Sequence, residues 1–226
     1  MGNPVLIIGN KNYSSWSLRP WLLMKVAGIA FDEVRIPLYQ QGSTGAIRAH
    51  APAGRARYRK VPILHDGALQ VWDSLAICEY VAERWPESNG WPADRAARAW
   101  ARCVSAEMHS GFQTLRTQMP MNCRRPRGLI DPAAAQDATL RGEIDRVIEI
   151  WTSCRAAAGA SGPFLFGPFG VADAMYAPVV LRFSIYEVPL PAPAQVYADA
   201  ILGLPALQNW IADARAETDV LAQFEK

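Results

Sequence analysis

The chain has 226 residues, half of them hydrophobic and 19% charged, with a formal net charge of +2. That is enough apolar material for one large domain or two small ones with a packed core, and too little charge for a disordered chain. Balanced charge gives no case for nucleic acid as a partner, and the arginines at 55–59 and 124–127 fall in Pro/Gly-rich stretches that read as solvated loops.

Val5–Ile8 is a short apolar run closed by Gly9-Asn10, the pattern of a buried strand. Lys11–Ser17 is polar and hydroxyl-rich, a loop, with Ser17 the expected helix N-cap. Leu18–Ala27 reads as a helix stopped by Gly28, with Pro20 tolerated in its first turn. Phe31–Pro37 reads as a second strand, and 42–60 as a loop with one short helix at most. Val61–Leu64 and Leu69–Val71 flank Asp66-Gly67, a hairpin signal. Ser74–Arg84 is a helix with Leu75, Ile77, Cys78 and Val81 on one face. Residues 1–85 thus form a small α/β unit with its sheet covered on both faces. Residues 86–94 are Pro/Gly/Asn-rich, a linker, and 95–226 are helical only. There Asp94–Gln118 reads as one long helix, Asp131–Ala158 as a second, and Val171–Ile185 as a third that Pro178 should kink. Shorter helices follow near Ala194–Leu202 and Pro205–Ala216.

Cys78, Cys103, Cys123 and Cys154 show no CxxC spacing, so neither a disulfide framework nor a metal site is expected. Cys78 and Cys103 sit in apolar-periodic segments and read as small core residues. Met1-Gly2-Asn3-Pro4 lacks a basic start and a following apolar stretch, and no run reaches membrane length, so a cytoplasmic protein is expected.

Val61-Pro62 is awkward in this pattern, because proline cannot donate to a sheet ladder. One reading turns the Val61 backbone toward a ligand through a cis bond at Pro62. Asp73-Ser74 would then offer a carboxylate and free helix N–H groups to a peptide-like molecule carrying an amine and a carboxylate. The other reading is an edge strand, a turn and an N-cap at Ser74. These residues alone leave both open.

Four motifs in this order resemble the cytosolic glutathione transferases. Tyr13-Ser14-Ser15-Trp16-Ser17-Leu18-Arg19 is similar to the active-site turn of the serine-type classes, and Val61-Pro62 to the cis-proline corner. The run from Asp73-Ser74 to Tyr80 is similar to the helix start that follows that corner, and the run from Phe166 to Asp173 to the buried capping motif of the helical domain. The resemblance spans essentially the whole chain. It implies a thioredoxin-like glutathione-binding domain followed by an all-helical domain that holds the electrophile pocket. It also implies a detoxifying transferase with glutathione as co-substrate, assembled as a homodimer.

Carried over residue by residue, the resemblance implies that the Val61 backbone, beside Pro62, pairs with the glutathione cysteine by strand addition. Ser74 would hold the γ-glutamyl carboxylate and Asp73 the amine, with Lys60 or Gln41 at the glycyl carboxylate. In the serine-type pattern the reactive hydroxyl stands five residues before the arginine of the first helix, which points to Ser14, with Ser15 one frame away. Its role is to donate a hydrogen bond to the glutathione sulfur and favour the thiolate. Trp16, His109, Arg116 and Met119, with Met121, fall where an electrophile pocket would overhang Ser14; for the two methionines, packing at the domain interface is the alternative.

The chain departs from the family in three places. Trp16 stands where the zeta-like class has cysteine, the stretch before Val61 carries a basic insertion at 55–60, and Gly170 replaces a capping Ser or Thr while Asp173 can still bond back to it. Three functions compete: conjugation of glutathione to a small apolar electrophile; another glutathione reaction such as isomerisation, thiol transfer or peroxide reduction; and a non-catalytic glutathione- or ligand-binding module.

Overall fold

A computed structural model describes residues 2–51, 58–159 and 161–225. Of the basic insertion expected at 55–60, residues 55–57 lie outside the described residues. Four strands, β1 (Val5–Ile8), β2 (Asp32–Arg35), β3 (Ile63–Asp66) and β4 (Leu69–Trp72), form one sheet in the order β2-β1-β3-β4. β1 pairs parallel to β2 and antiparallel to β3, and β3 pairs antiparallel to β4. Period-2 alternation decides what covers each face. Leu6, Ile8 and Leu64 pack on α1 (Ser15–Val26) and α3 (Ser74–Arg84), while Ile7 and Ile63 pack with Ile36 and with Ile47 of α2 (Ser43–Ala49).

β3 is an interior strand, not an edge. Pro62 is accommodated because the ladder starts one residue later, at Ile63, and the Val61–Pro62 peptide bond is cis. α1 begins at Ser15, three residues before the expected start, so Pro20 lies in its second turn and withholds an N–H from the Trp16 carbonyl.

The remainder is helical: α4 (Arg95–Ser110), α5 (Gln113–Gln118), α6 (Pro132–Ala135), α7 (Ala138–Ala158), α8 (Val171–Ile185), α9 (Ala192–Leu202) and α10 (Pro205–Ala216). The helix expected over Asp94–Gln118 is two. Gly111 leaves the helical region, Phe112 takes φ 57°, and a side chain at Gly111 would meet the Glu107 carbonyl at 2.9 Å. The helix expected over Asp131–Ala158 also splits, because Asp131 and Asp137 each cap their own N-terminus. α8 runs unbroken through Pro178 and is buried along nearly its whole length. Cys103 is exposed on α4, contrary to the core position its spacing suggested, whereas Cys78 is fully buried. Gly170 is required by close approach: a side chain there would meet the Gly90 carbonyl, which accepts from Val171 N at 2.8 Å. No helix among the described residues is long and apolar enough to cross a membrane.

Candidate active site

A cavity of about 480 Å³ opens where the N-terminus of α1, the Val61-Pro62 corner, the start of α3 and the Leu38–Gln40 segment converge, with His109 of α4 at its edge. β1 is followed by Gly9, where a side chain would meet the Leu38 side chain at 2.6 Å, so glycine lets that segment close over the strand end.

Asn10 carries the chain into the first turn. Its carbonyl accepts from Tyr13 N (3.2 Å) and Ser14 N (2.8 Å), and its side-chain oxygen from Leu38 N (2.8 Å). Ser14, not Ser17, is the N-cap of α1: its Oγ accepts from Ser17 N at 3.3 Å and pairs with Ser17 Oγ at 2.8 Å. Ser17 Oγ is committed to the Gly9 N–H at 3.1 Å, which is why it does not cap. Ser14 lines the cavity. Ser15 does not; its Oγ accepts from Arg182 Nη2 at 3.2 Å, inside the helical half.

Asp73 is the N-cap of α3, one residue before the alternative reading put it. One carboxylate oxygen accepts from Leu75 N (2.9 Å) and Ala76 N (3.2 Å), and the other meets His109 Nε2 at 3.1 Å. Its backbone sits at φ 77°, ψ 132°, a conformation that costs about 1–3 kcal/mol and persists only where the surroundings enforce it. Beside it Ser74 is buried, lines the cavity, and its Oγ has no partner among the described residues. A buried hydroxyl is nearly always paired, so one left free in a cavity wall marks a place for a ligand group.

Trp16 and His109 form the cavity's other end, ring edge against ring face at 5.4 Å. Behind them the Arg19 and Arg116 guanidiniums lie over the Trp16 ring at 4.3 and 5.3 Å. Burial, then Arg116 and Arg182, lowers the Arg19 pKa to about 9. Burial also lowers His109 below its ordinary value, with Arg19 and Arg116 adding to the fall and Asp73 opposing it.

Of the residues expected at a glutathione site, Ser14, Lys60, Val61, Pro62, Asp73 and Ser74 all line this one cavity. Gln41 does not; its neighbour Gln40 does. Of those expected at an electrophile pocket, Trp16 and His109 line it. Arg116 lies behind Trp16 and donates to the Met108 carbonyl, and Met119 and Met121 are buried in the core. Sequence reasoning missed Leu38, Tyr39, Ser43 and Thr44, a wall made by a loop and the start of α2 with no motif to mark it.

A family model described as the glutathione S-transferase N-terminal domain matches residues 13–84, and one described as the C-terminal domain matches 93–213. Maleylacetoacetate isomerase of Rattus norvegicus is 32% identical over 114 residues, covering 50% of this chain and 51% of that protein. The chain therefore matches about half the length of its curated relatives. A glutathione transferase homolog from Burkholderia, solved with bound glutathione, superposes with TM-score 0.69 at 21% identity over 96% of this chain and 100% of its own. Maleyl pyruvate isomerase, a bacterial zeta-class protein, does so with TM-score 0.69 at 20% identity over the same shares. At these identities the two superpositions establish the fold, a thioredoxin-like sheet domain followed by a helical one. Together with the two family models, which between them account for both halves, they leave one conclusion: this chain belongs to the glutathione S-transferase family.

Proposed function

We propose that the cavity binds glutathione and that Ser14 activates its thiol for attack on a small apolar electrophile. The observation that carries this reading is the convergence of the Ser14 hydroxyl, the Val61 backbone and the unpartnered Ser74 hydroxyl on one cavity at two helix N-termini. Val61 precedes the ladder, so its backbone is available to an extended peptide. The start of α3 suits the γ-glutamyl carboxylate and Asp73 the amine, while Lys60 suits the glycyl carboxylate. Residues 1–85 then hold glutathione, and residues 95–226, through His109, border the electrophile side.

The hydroxyl chemistry follows from the pair at 2.8 Å. Either serine can donate to the other. When Ser17 donates to Ser14, the Ser14 proton is free to point at the glutathione sulfur. The bond from Ser14 O–H to the thiolate favours the ionised sulfur, and the chain of two hydroxyls strengthens it. The thiol proton leaves to solvent, and the sulfur supplies the electron pair to the electrophile. Ser14 forms no covalent bond.

The test is the thiol pKa of bound glutathione, followed by thiolate absorbance. In wild type it should fall below that of free glutathione. In Ser14→Ala it should rise again by about one unit or more, at ~1.4 kcal/mol per unit. A lowered pKa that survives in Ser14→Ala would reject Ser14 as donor, and no lowering in wild type would reject activation altogether. A second reading, glutathione-dependent cis–trans isomerisation, is favoured by the relation to maleylacetoacetate isomerases. It is separated from conjugation by whether the product retains glutathione. A homodimer is part of the same proposal and is checked by light scattering.

A further inference from the structure

After α10 the chain turns back as a strap, residues 217–225, that ends in a 3-10 turn at Ala222–Phe224 and runs from the helical half onto the sheet half. The strap carries carboxylates, and each finds donors around the first turn. Glu217 accepts the backbone N–H groups of Lys11 (2.7 Å) and Asn12 (3.2 Å). Glu225 accepts from the Tyr13 hydroxyl and from Asn122 Nδ2 (3.1 Å), and the Phe224 ring rests against Tyr13 and Tyr39. Asp219 holds the widest span. Oδ2 accepts from Asn10 Nδ2 (2.9 Å) and Arg35 Nη1 (2.7 Å), and Oδ1 accepts from Gln40 Nε2 (2.7 Å).

Asn10 makes Asp219 matter to the cavity. It is fully buried, its carbonyl fixes the Ser14 N–H, and its side-chain oxygen fixes the Leu38 N–H. Its amide therefore has one role left, which Asp219 fills. Through Asn10 the Asp219 carboxylate reaches the Ser14 wall, and through Gln40 it reaches the facing Leu38–Gln40 wall directly. Asp219 itself does not line the cavity. Each of its three bonds has an ionised acceptor, and such bonds are about twice as strong as neutral ones.

We infer that Asp219 is a positioning residue for glutathione: the strap clamps the two walls of the cavity at the spacing that the tripeptide requires. This rests on the reading of the cavity as the glutathione site. The clamp lies on the glutathione side, away from Trp16 and His109. Ser14 is held by the Asn10 backbone carbonyl and not by the amide that Asp219 accepts from, so loss of the clamp should weaken glutathione binding while the Ser14 bond and the electrophile side stay in place. A role confined to stability would lower the melting temperature and leave the affinity of the folded fraction unchanged.

The experiment titrates wild type, Asp219→Ala, Asp219→Asn and Ser74→Ala with glutathione by calorimetry. It then measures steady-state conjugation with 1-chloro-2,4-dinitrobenzene as the probe electrophile. Asp219→Ala should raise the Kd and KM for glutathione about tenfold, with kcat at saturating glutathione and KM for the electrophile within about twofold of wild type. Asp219→Asn, which keeps one acceptor and turns the other into a donor, should raise the Kd about threefold. If Asp219→Ala does not fold, Asp219→Asn decides alone, and a Kd within about 1.5-fold of wild type overturns the inference. A Kd unchanged in folded Asp219→Ala overturns it as well. In either case the site reading survives if Ser74→Ala weakens binding. If Ser74→Ala binds glutathione as wild type does, the cavity is not the site, and the reading and the inference fall together.

Discussion

His109 stands under opposed influences. Burial comes first and favours the neutral ring; Arg19 and Arg116 push the same way, and Asp73, 3.1 Å from Nε2, pushes back. Burial prevails, so the folded protein releases the His109 proton at a lower pH than the unfolded chain does. The sign follows by linkage. Above the ordinary value of 6.5 both states are neutral and the group's contribution is fully present. As pH falls below 6.5 the unfolded state takes up the proton first and that contribution is lost. An imidazole NMR titration, with His109→Gln to assign the signal among the three histidines, should give a midpoint below 6.5. Asp73→Asn removes the upward influence and should lower the midpoint further. An unchanged midpoint in Asp73→Asn would mean that the pair is not formed. The same residue scale shows what sequence could and could not give at the site. The helix start at Ser74 and the Val61-Pro62 corner were legible because a helix start and an X-Pro bond are local chemistry, although the cap itself falls on Asp73, one residue before Ser74. The cap of α1 was not legible either: the loop offers three serines, and Ser17 is taken by the Gly9 N–H across a turn closed in three dimensions. The spacing to Arg19 favours Ser14 over Ser15 by a single frame, and the two are separated in space by Arg182 of α8, which donates to Ser15.

Among the elements, α8 is the one whose start is most tightly determined. Gly170 has no side chain to cap with, so the whole N-terminal arrangement falls to Asp173, which accepts from Gly170 N (2.9 Å) and Leu165 N (3.0 Å). This much was legible, because a carboxylate at the third helical position reaches back by geometry alone. The reason for the glycine was not legible, since it lies in the Gly90 carbonyl of the interdomain connection. Burial pushes the Asp173 carboxyl up to about 7, against the N–H groups that hold it down. Removing it leaves two buried N–H groups without an acceptor, each at ~1–3 kcal/mol. Asp173→Ala should therefore lose about 2–6 kcal/mol of unfolding free energy, read from the urea midpoint at constant slope. Asp173→Asn, which keeps an acceptor, should lose less than half of that. Equal losses in the two variants would mean that charge, not hydrogen bonding, sets the cost. The same contrast explains where helix boundaries were legible. β1 and α3 begin and end as read because their punctuation is adjacent in sequence. The break at Gly111-Phe112 rests on a left-handed phenylalanine, for which the local sequence offers only the preceding glycine.

At the scale of the whole molecule the two halves share one core. Leu6, Leu18, Trp21 and Ile77 from the sheet half belong to the same buried cluster as Val104, Trp151, Tyr176 and Trp210 from the helical half. Sequence placed each half correctly as an architecture but could not place this seam, whose partners lie far apart along the chain. Trp21 meets Trp210 at 5.0 Å, Trp210 Nε1 donates to the Lys11 carbonyl at 2.9 Å, and Lys11 Nζ joins Glu33 (2.8 Å) to Asp213 (2.7 Å). Arg182, fully sequestered, ties α8 to Ser15 at the base of α1. A seam built of core residues, with Trp210 and Arg182 hydrogen-bonded across it, makes separate unfolding of either half expensive, because each would expose its share of a common interior. Urea unfolding followed by far-UV circular dichroism, dominated by the helical half, and by tryptophan fluorescence should give coincident single transitions. Trp210→Ala opens the centre of the seam and orphans the Lys11 carbonyl, so it should cost about 3–5 kcal/mol. The decisive feature is that both probes should shift together. A variant in which fluorescence and circular dichroism separate, with the sheet half melting first, would show that the seam only brings together two independently stable units.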